Sequence, residues 1–192
     1  MFAEKLPVSL RKYSSTIYFL VVLVLAHFFW KIFVKGDDSD TVVTFLSFNI
    51  SEPFNIAATN VANAVHWLLQ FIGFDIQLFD NNVLRHNNLV GARIVWSCTG
   101  IKQAFIFCCI IVFYEGNTKR KLWFLPLSLL LIYLFNILRI AAIIALIKYY
   151  PNQFDLFHEY IFKYLFYILL FGMWVFWDER INKVDDSIAT AL

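Results

Sequence analysis

Long apolar runs separated by short polar connections dominate the chain. The first is Thr16 to Val34, TIYFLVVLVLAHFFWKIFV; the others run from Ile101 to Tyr114, from Leu122 to Tyr150 and from His158 to Trp177. A helix that crosses a bilayer needs about 20 mostly apolar residues. The pattern therefore predicts membrane spans at about 16–34, 100–115, 122–149 and 158–177. Bulky Phe28, Phe29 and Trp30 stand where a cleavage site would need small residues, so the first run reads as an uncleaved anchor.

Residues 41–97 follow a different pattern. Asn63, His66 and Gln70 are spaced i, i+3, i+7 and share one helical face. Residues 41–74 are expected to form an interfacial amphipathic helix or an additional pair of membrane helices. Asp80-Asn81-Asn82 and His86-Asn87-Asn88 read as turns between short β-like runs, so 75–97 is expected to be a small β-hairpin or loop outside the membrane. The fold class is an all-α polytopic membrane protein, a single helical bundle with four to six membrane helices and that small insertion.

Composition agrees with a bilayer as the solvent. Of 192 residues, 60% are hydrophobic and 16% charged, against about 45–50% and about 25% in soluble domains. A net charge of +2 gives no reason to expect a nucleic-acid partner. Charge placement sets the orientation. Lys5, Arg11, Lys12, Lys119, Arg120, Lys121, Arg180 and Lys183 flank one side of the spans, while Lys35 and Lys148 flank the other. By the positive-inside rule both termini face the cytoplasm.

That orientation brings three distant residues to one depth. Cys98 opens the second span from outside. Arg139 lies about 26 Å along the third span from Leu122, near the outer edge of a hydrocarbon core about 30 Å thick. His158 opens the last span, again on the outer side. Ionisable residues within apolar spans are functional candidates by default. A thiolate is a nucleophile, a nearby histidine serves it as base and later as acid, and an arginine stabilises developing oxyanion charge. Asn136 shares a helical face with Arg139, and Lys102 stands one turn after Cys98 if the helix includes the cysteine.

Plainer roles account for the remaining candidates. Cys108 and Cys109 sit mid-span as apolar packers. His27, His66 and His86 read as interfacial or loop residues, and Glu159 with Lys163 as a surface pair. No HExxH, G-x-S-x-G, P-loop or dinucleotide fingerprint occurs, and neither a metal nor a cofactor is expected.

Two strings and one position then carry a resemblance. Val95-Trp96-Ser97-Cys98-Thr99-Gly100-Ile101 resembles the cysteine motif of the exosortase/archaeosortase superfamily, and Asn136-Ile137-Leu138-Arg139-Ile140 its N-x-x-R-I motif. His158 is placed like the family histidine, early in the final span. The likeness covers roughly residues 75–177, and the short chain is similar to the compact bacterial exosortase F type. Thr99 stands where serine is common and keeps the hydroxyl. The resemblance implies a membrane-embedded cysteine transpeptidase with Cys98 as nucleophile and Arg139 and His158 completing a triad. It also implies cleavage of C-terminal sorting signals of exported proteins through a thioester, at the periplasmic face of the inner membrane. The expected partners are the lipid bilayer, the helix of the sorting signal and an acceptor of unknown identity. The alternative is a non-catalytic scaffold that holds a partner's transmembrane helix.

Overall fold

The computed structural model describes residues 13–36, 42–87 and 90–182. Lys5, Arg11, Lys12, Asn88 and Lys183 lie outside the described residues. Among the described residues three helical stretches are long and apolar enough to cross a membrane: Ser14–Phe33 (α1), Thr118–Ile147 (α4) and Leu156–Ile181, whose regular part is Phe162–Phe176 (α5). The helix Ile101–Phe113 (α3) is apolar but shorter than the expected 100–115. Gly100 takes a left-handed φ of 80° at its start and Tyr114 an extended conformation at its end. Thirteen residues reach about 20 Å, less than a hydrocarbon core of about 30 Å.

The segment between α1 and α3 forms a cap on one end of the bundle. Val34–Gly36 (β1), Val43–Phe45 (β2) and Phe48–Asn49 (β3) make an antiparallel sheet in the order β1-β2-β3. Leu46 and Ser47, both with positive φ, turn β2 into β3. Sequence gave no sign of this sheet. Ser51–Phe71 (α2) follows as one helix of 21 residues rather than a pair. Its Val61, Ala62, Val65 and Leu69 are buried, while Asn55, Asn60, Asn63 and Gln70 are exposed. That division makes α2 amphipathic, and it is not among the described stretches apolar enough to cross.

The expected hairpin has a third strand. Ile76–Phe79 (β4), Val83–His86 (β5) and Gly91–Arg93 (β6) pair antiparallel, with Ile76 opposite His86 and Val83 opposite Arg93. Asp80 and Asn81 supply the positive φ of the first turn. His86 was expected in a turn or loop. It belongs instead to β5, is 3% exposed, and hydrogen-bonds the Ile144 carbonyl of α4 through Nε2 at 2.8 Å.

Two main apolar cores divide the molecule. One joins α1, α3, the first half of α4 and α5 around Ile106, Phe107, Ile110, Phe124, Phe166 and Trp177. The other joins α2 and the second sheet to the last third of α4, through Val61, Val65, Leu84, Ile140 and Ile144. At the end of the bundle that carries Lys119–Lys121, Tyr114 donates its hydroxyl proton to Asp178 and sits 3.0 Å from Ser15 Oγ. This network fixes α1, α3 and α5 to one level. Arg120 caps the far end of the last helix by donating to the Ile181 carbonyl.

Candidate active site

Cys98 is not on α3. It ends the 3-10 turn Trp96–Cys98, in which the Cys98 N–H donates to the Val95 carbonyl. Thr99 Oγ1 then donates back to the Trp96 carbonyl at 2.8 Å and accepts weakly from the Ile101 N–H at 3.4 Å. The turn and the left-handed Gly100 hold the thiol above the first turn of α3. Glycine is required at position 100 twice over, because φ is +80° and a Cβ would meet Asn136 Cγ at 3.2 Å.

From α4, Asn136 Nδ2 donates to the Cys98 carbonyl at 2.8 Å. Asn136 is fully buried and Cys98 half-buried, so this bond is partly shielded from water. The expectation placed Asn136 beside Arg139 on one face; the contact it makes is with the cysteine backbone. Arg139 follows one turn on, 8% exposed and inside the protein rather than facing lipid. Measured along α4, Asn136 stands about 27 Å from Thr118, which sets the height of the cysteine turn.

His158 comes from the other side. After Pro151–Gln153, the chain runs through a π-helical turn at Leu156–Ile161 before α5 becomes regular. π-turns widen a helix locally and recur at functional sites. Here the turn carries the imidazole to Cys98, with His158 Nε2 3.8 Å from Sγ. Both residues are half-buried. The Phe154 ring stacks on the imidazole, 5.3 Å between centroids and 9° between planes. In the sequence Phe154 belongs to the polar connection PNQFD between the third and fourth apolar runs. Its i, i+4 spacing from His158 was the available signal.

Of the six residues singled out by sequence, Asn136 and His158 each reach Cys98, and Thr99 bonds within the cysteine turn. Arg139 is buried on the Asn136 face of α4. Lys102 lies within α3, half-buried, where the charges of Lys163 and Lys31 bear on it. Cys108 and Cys109 are free thiols within α3, away from the cysteine turn.

A cleft of about 480 Å³ opens directly beneath this turn, between α2, α3 and α4. Thr99 and Gly100 form its rim, Ala57, Ala104 and Ile132 its apolar wall, and Asn60 adds a polar side chain. Small residues at such a seam let another helix approach closely.

Comparison with curated proteins and with solved structures returned no match. Comparison with family profiles returned one that spans the first membrane helix, the cap, the cysteine turn and the last helix as far as Trp177: over residues 13–177 the chain matches the transmembrane exosortases (Exosortase_EpsH), and it belongs to that family.

Proposed function

We propose that the protein is a membrane-embedded cysteine transpeptidase or protease that cleaves C-terminal sorting signals of exported proteins. The observation that carries this reading is the 3.8 Å approach of His158 Nε2 to Cys98 Sγ. A thiol and an imidazole at that separation, from elements 60 residues apart, form a nucleophile and its base.

His158 takes the Cys98 proton as the thiolate attacks a backbone carbonyl of the substrate. The C–N bond then breaks, His158 returns the proton to the leaving amine, and the substrate stays on Cys98 as a thioester. An amine or hydroxyl acceptor, or water, releases it after giving a proton to His158. Arg139 stabilises the oxyanion, and Asn136 positions the cysteine turn. The helix of the sorting signal lies in the cleft between α2, α3 and α4, which ends at Thr99 and Gly100 beside the nucleophile. The placement of basic residues supports a site on the non-cytoplasmic side, which we take to be the periplasmic face of an inner membrane.

The test follows a tailed substrate in cells by gel shift. Cys98→Ala abolishes processing and Cys98→Ser leaves little of it. Trapped acyl-enzyme identified by mass spectrometry names the nucleophile and the substrate together. Unchanged processing in both variants refutes the assignment. A partner helix that co-purifies with the wild type and with Cys98→Ala, with no covalent adduct in either, would instead favour the scaffold reading.

A further inference from the structure

The turn that carries Cys98 is mounted at both ends. At one end, Asn136 Nδ2 donates to the Cys98 carbonyl. At the other, Trp96 meets β1. Trp96 opens the 3-10 turn, and its carbonyl accepts from the N–H and the Oγ1 of Thr99, at 3.3 and 2.8 Å. The Trp96 backbone is therefore part of the frame that holds the cysteine.

The Trp96 ring is seated by shape. Its Nε1 is buried and has no hydrogen-bond partner among the described residues, so no directional bond from the indole fixes it. Phe54, in the first turn of α2, stands edge-on to it, with 6.0 Å between centroids and 86° between planes. A second contact is with Gly36, the last residue of β1. A Cβ at Gly36 would lie 2.8 Å from Trp96 Cε2 and 3.0 Å from Cζ2 and Nε1. Carbon atoms in ordinary contact keep about 3.5–4.0 Å. The indole thus occupies the place where any other residue would carry its side chain. Gly36 has no positive φ, so the close approach and not the backbone calls for glycine.

The surroundings leave the seat little room to retreat. Gly36 pairs with the fully buried Val43, whose N–H donates to Ser51 Oγ at the start of α2 at 2.8 Å. Phe54 is buried and stands edge-on to Trp30 of α1. A side chain at position 36 therefore pushes the ring, and the ring passes the displacement to the cysteine turn. We infer that Gly36 is a positioning residue for Cys98: lacking a side chain, it seats the Trp96 ring and so sets where the thiol stands beside His158. The inference rests on the nucleophile-and-base reading of that pair, and the experiment separates the two.

The full chain, purified in detergent, is treated with iodoacetamide at neutral pH, and modification of each cysteine is followed by mass spectrometry. Cleavage after Arg93 and Lys102 leaves Cys98 as the sole cysteine of peptide 94–102, while Cys108 and Cys109 fall in the next peptide and serve as internal reference. A misplacement of about 1 Å at a reacting pair can cost about a hundredfold. Gly36→Ala is expected to slow alkylation of Cys98 about tenfold and to leave the reference unchanged. Gly36→Ala/Trp96→Phe, whose smaller ring withdraws from the seat, regains the rate of Trp96→Phe alone; a general loosening of the fold would give no such recovery. An unchanged or raised rate in Gly36→Ala, or no recovery in the double variant, overturns the inference. If Gly36→Ala does not fold, the double variant decides: the rate of Trp96→Phe supports the seat, and a lower rate or failure to fold overturns it. His158→Gln tests the underlying reading in the same assay. If Gly36→Ala is slow and His158→Gln reacts like the wild type, the seat stands and the pairing of thiol and base falls. If His158→Gln alone is slow, the pairing stands and the seat falls.

Discussion

Asn136 Nδ2 donates to the carbonyl of Cys98 across 2.8 Å, tying the turn that carries the thiol to the middle of a 30-residue helix. The donor is fully buried. Replacing it with leucine leaves a part-buried carbonyl without this partner, at a cost of about 1 kcal/mol. Asn136→Leu is expected to lower processing of a tailed substrate by one to two orders of magnitude while the protein remains in the membrane. Processing at the wild-type rate would remove Asn136 from the positioning of Cys98.

Gly100 faces the same asparagine. A side chain there meets both a left-handed backbone and Asn136 Cγ at 3.2 Å. Gly100→Ala is expected to cost about 1–3 kcal/mol and to displace the cysteine turn. Thermal unfolding in detergent measures the first effect, and the rate of thiol alkylation at Cys98 the second.

Phe154 stacks on His158 within 9° of parallel. An aromatic pair of this kind contributes about 0.5–1.5 kcal/mol beyond burial. Phe154→Leu is expected to reduce kcat about three- to tenfold with little change in KM, because the imidazole loses its orientation toward the thiol. Phe154→Tyr keeps the stack and the rate. A KM effect alone would place Phe154 in substrate binding instead.

Tyr114 holds Asp178 and Ser15 together at the end of the bundle bearing the basic loop. Its hydroxyl donates to a buried carboxylate, and bonds to charged groups contribute about 1.5–3 kcal/mol. Tyr114→Phe is expected to lower the Tm of the detergent-purified protein by several degrees. An unchanged Tm would show that packing of the two rings Tyr18 and Trp174 on Tyr114 suffices to hold α1, α3 and α5 together.

Orientation has its own test. A membrane-impermeant thiol reagent added to the face opposite Lys119–Lys121 is expected to modify Cys98. Cys108 and Cys109, set in the apolar interior of α3, are expected to stay unmodified. Labelling confined to the basic face would reverse the topology.

Much of this arrangement was readable along the chain because membrane helices announce themselves. The run from Leu122 is α4 with one additional turn at its start, where Thr118–Lys121 continue the helix beneath the N-cap Asn117. The chemistry was legible for a different reason. Arginine and histidine are costly in apolar surroundings, Cys98 stands at the outer end of its run, and run lengths with the basic flanks together gave the three a common expected height. The cap was harder to read. β1, β2 and β3 are two or three residues long, too short for alternation to register. β6 contains Gly91 and resembles loop. His86 looked like one end of an asparagine turn because only the tertiary contact with Ile144 explains its burial. The π-turn at Leu156–Ile161 was likewise out of reach, since nothing in LFHEYI departs from ordinary helical composition.

The shortness of α3 has a further consequence. With about 20 Å of helix beneath it, the cysteine turn stands about 10 Å short of the far side of a hydrocarbon slab about 30 Å thick when α3 starts at the near side. Neighbouring α4, at about 45 Å, adapts to thicker lipid by tilting less; α3 has no length in reserve. Longer acyl chains are therefore expected to bury the thiol more deeply, and shorter ones to bring it closer to water. The rate of alkylation at Cys98 is then expected to report the thickness of the membrane around it, and to change with lipid chain length as well as with the residues that face the sulfur.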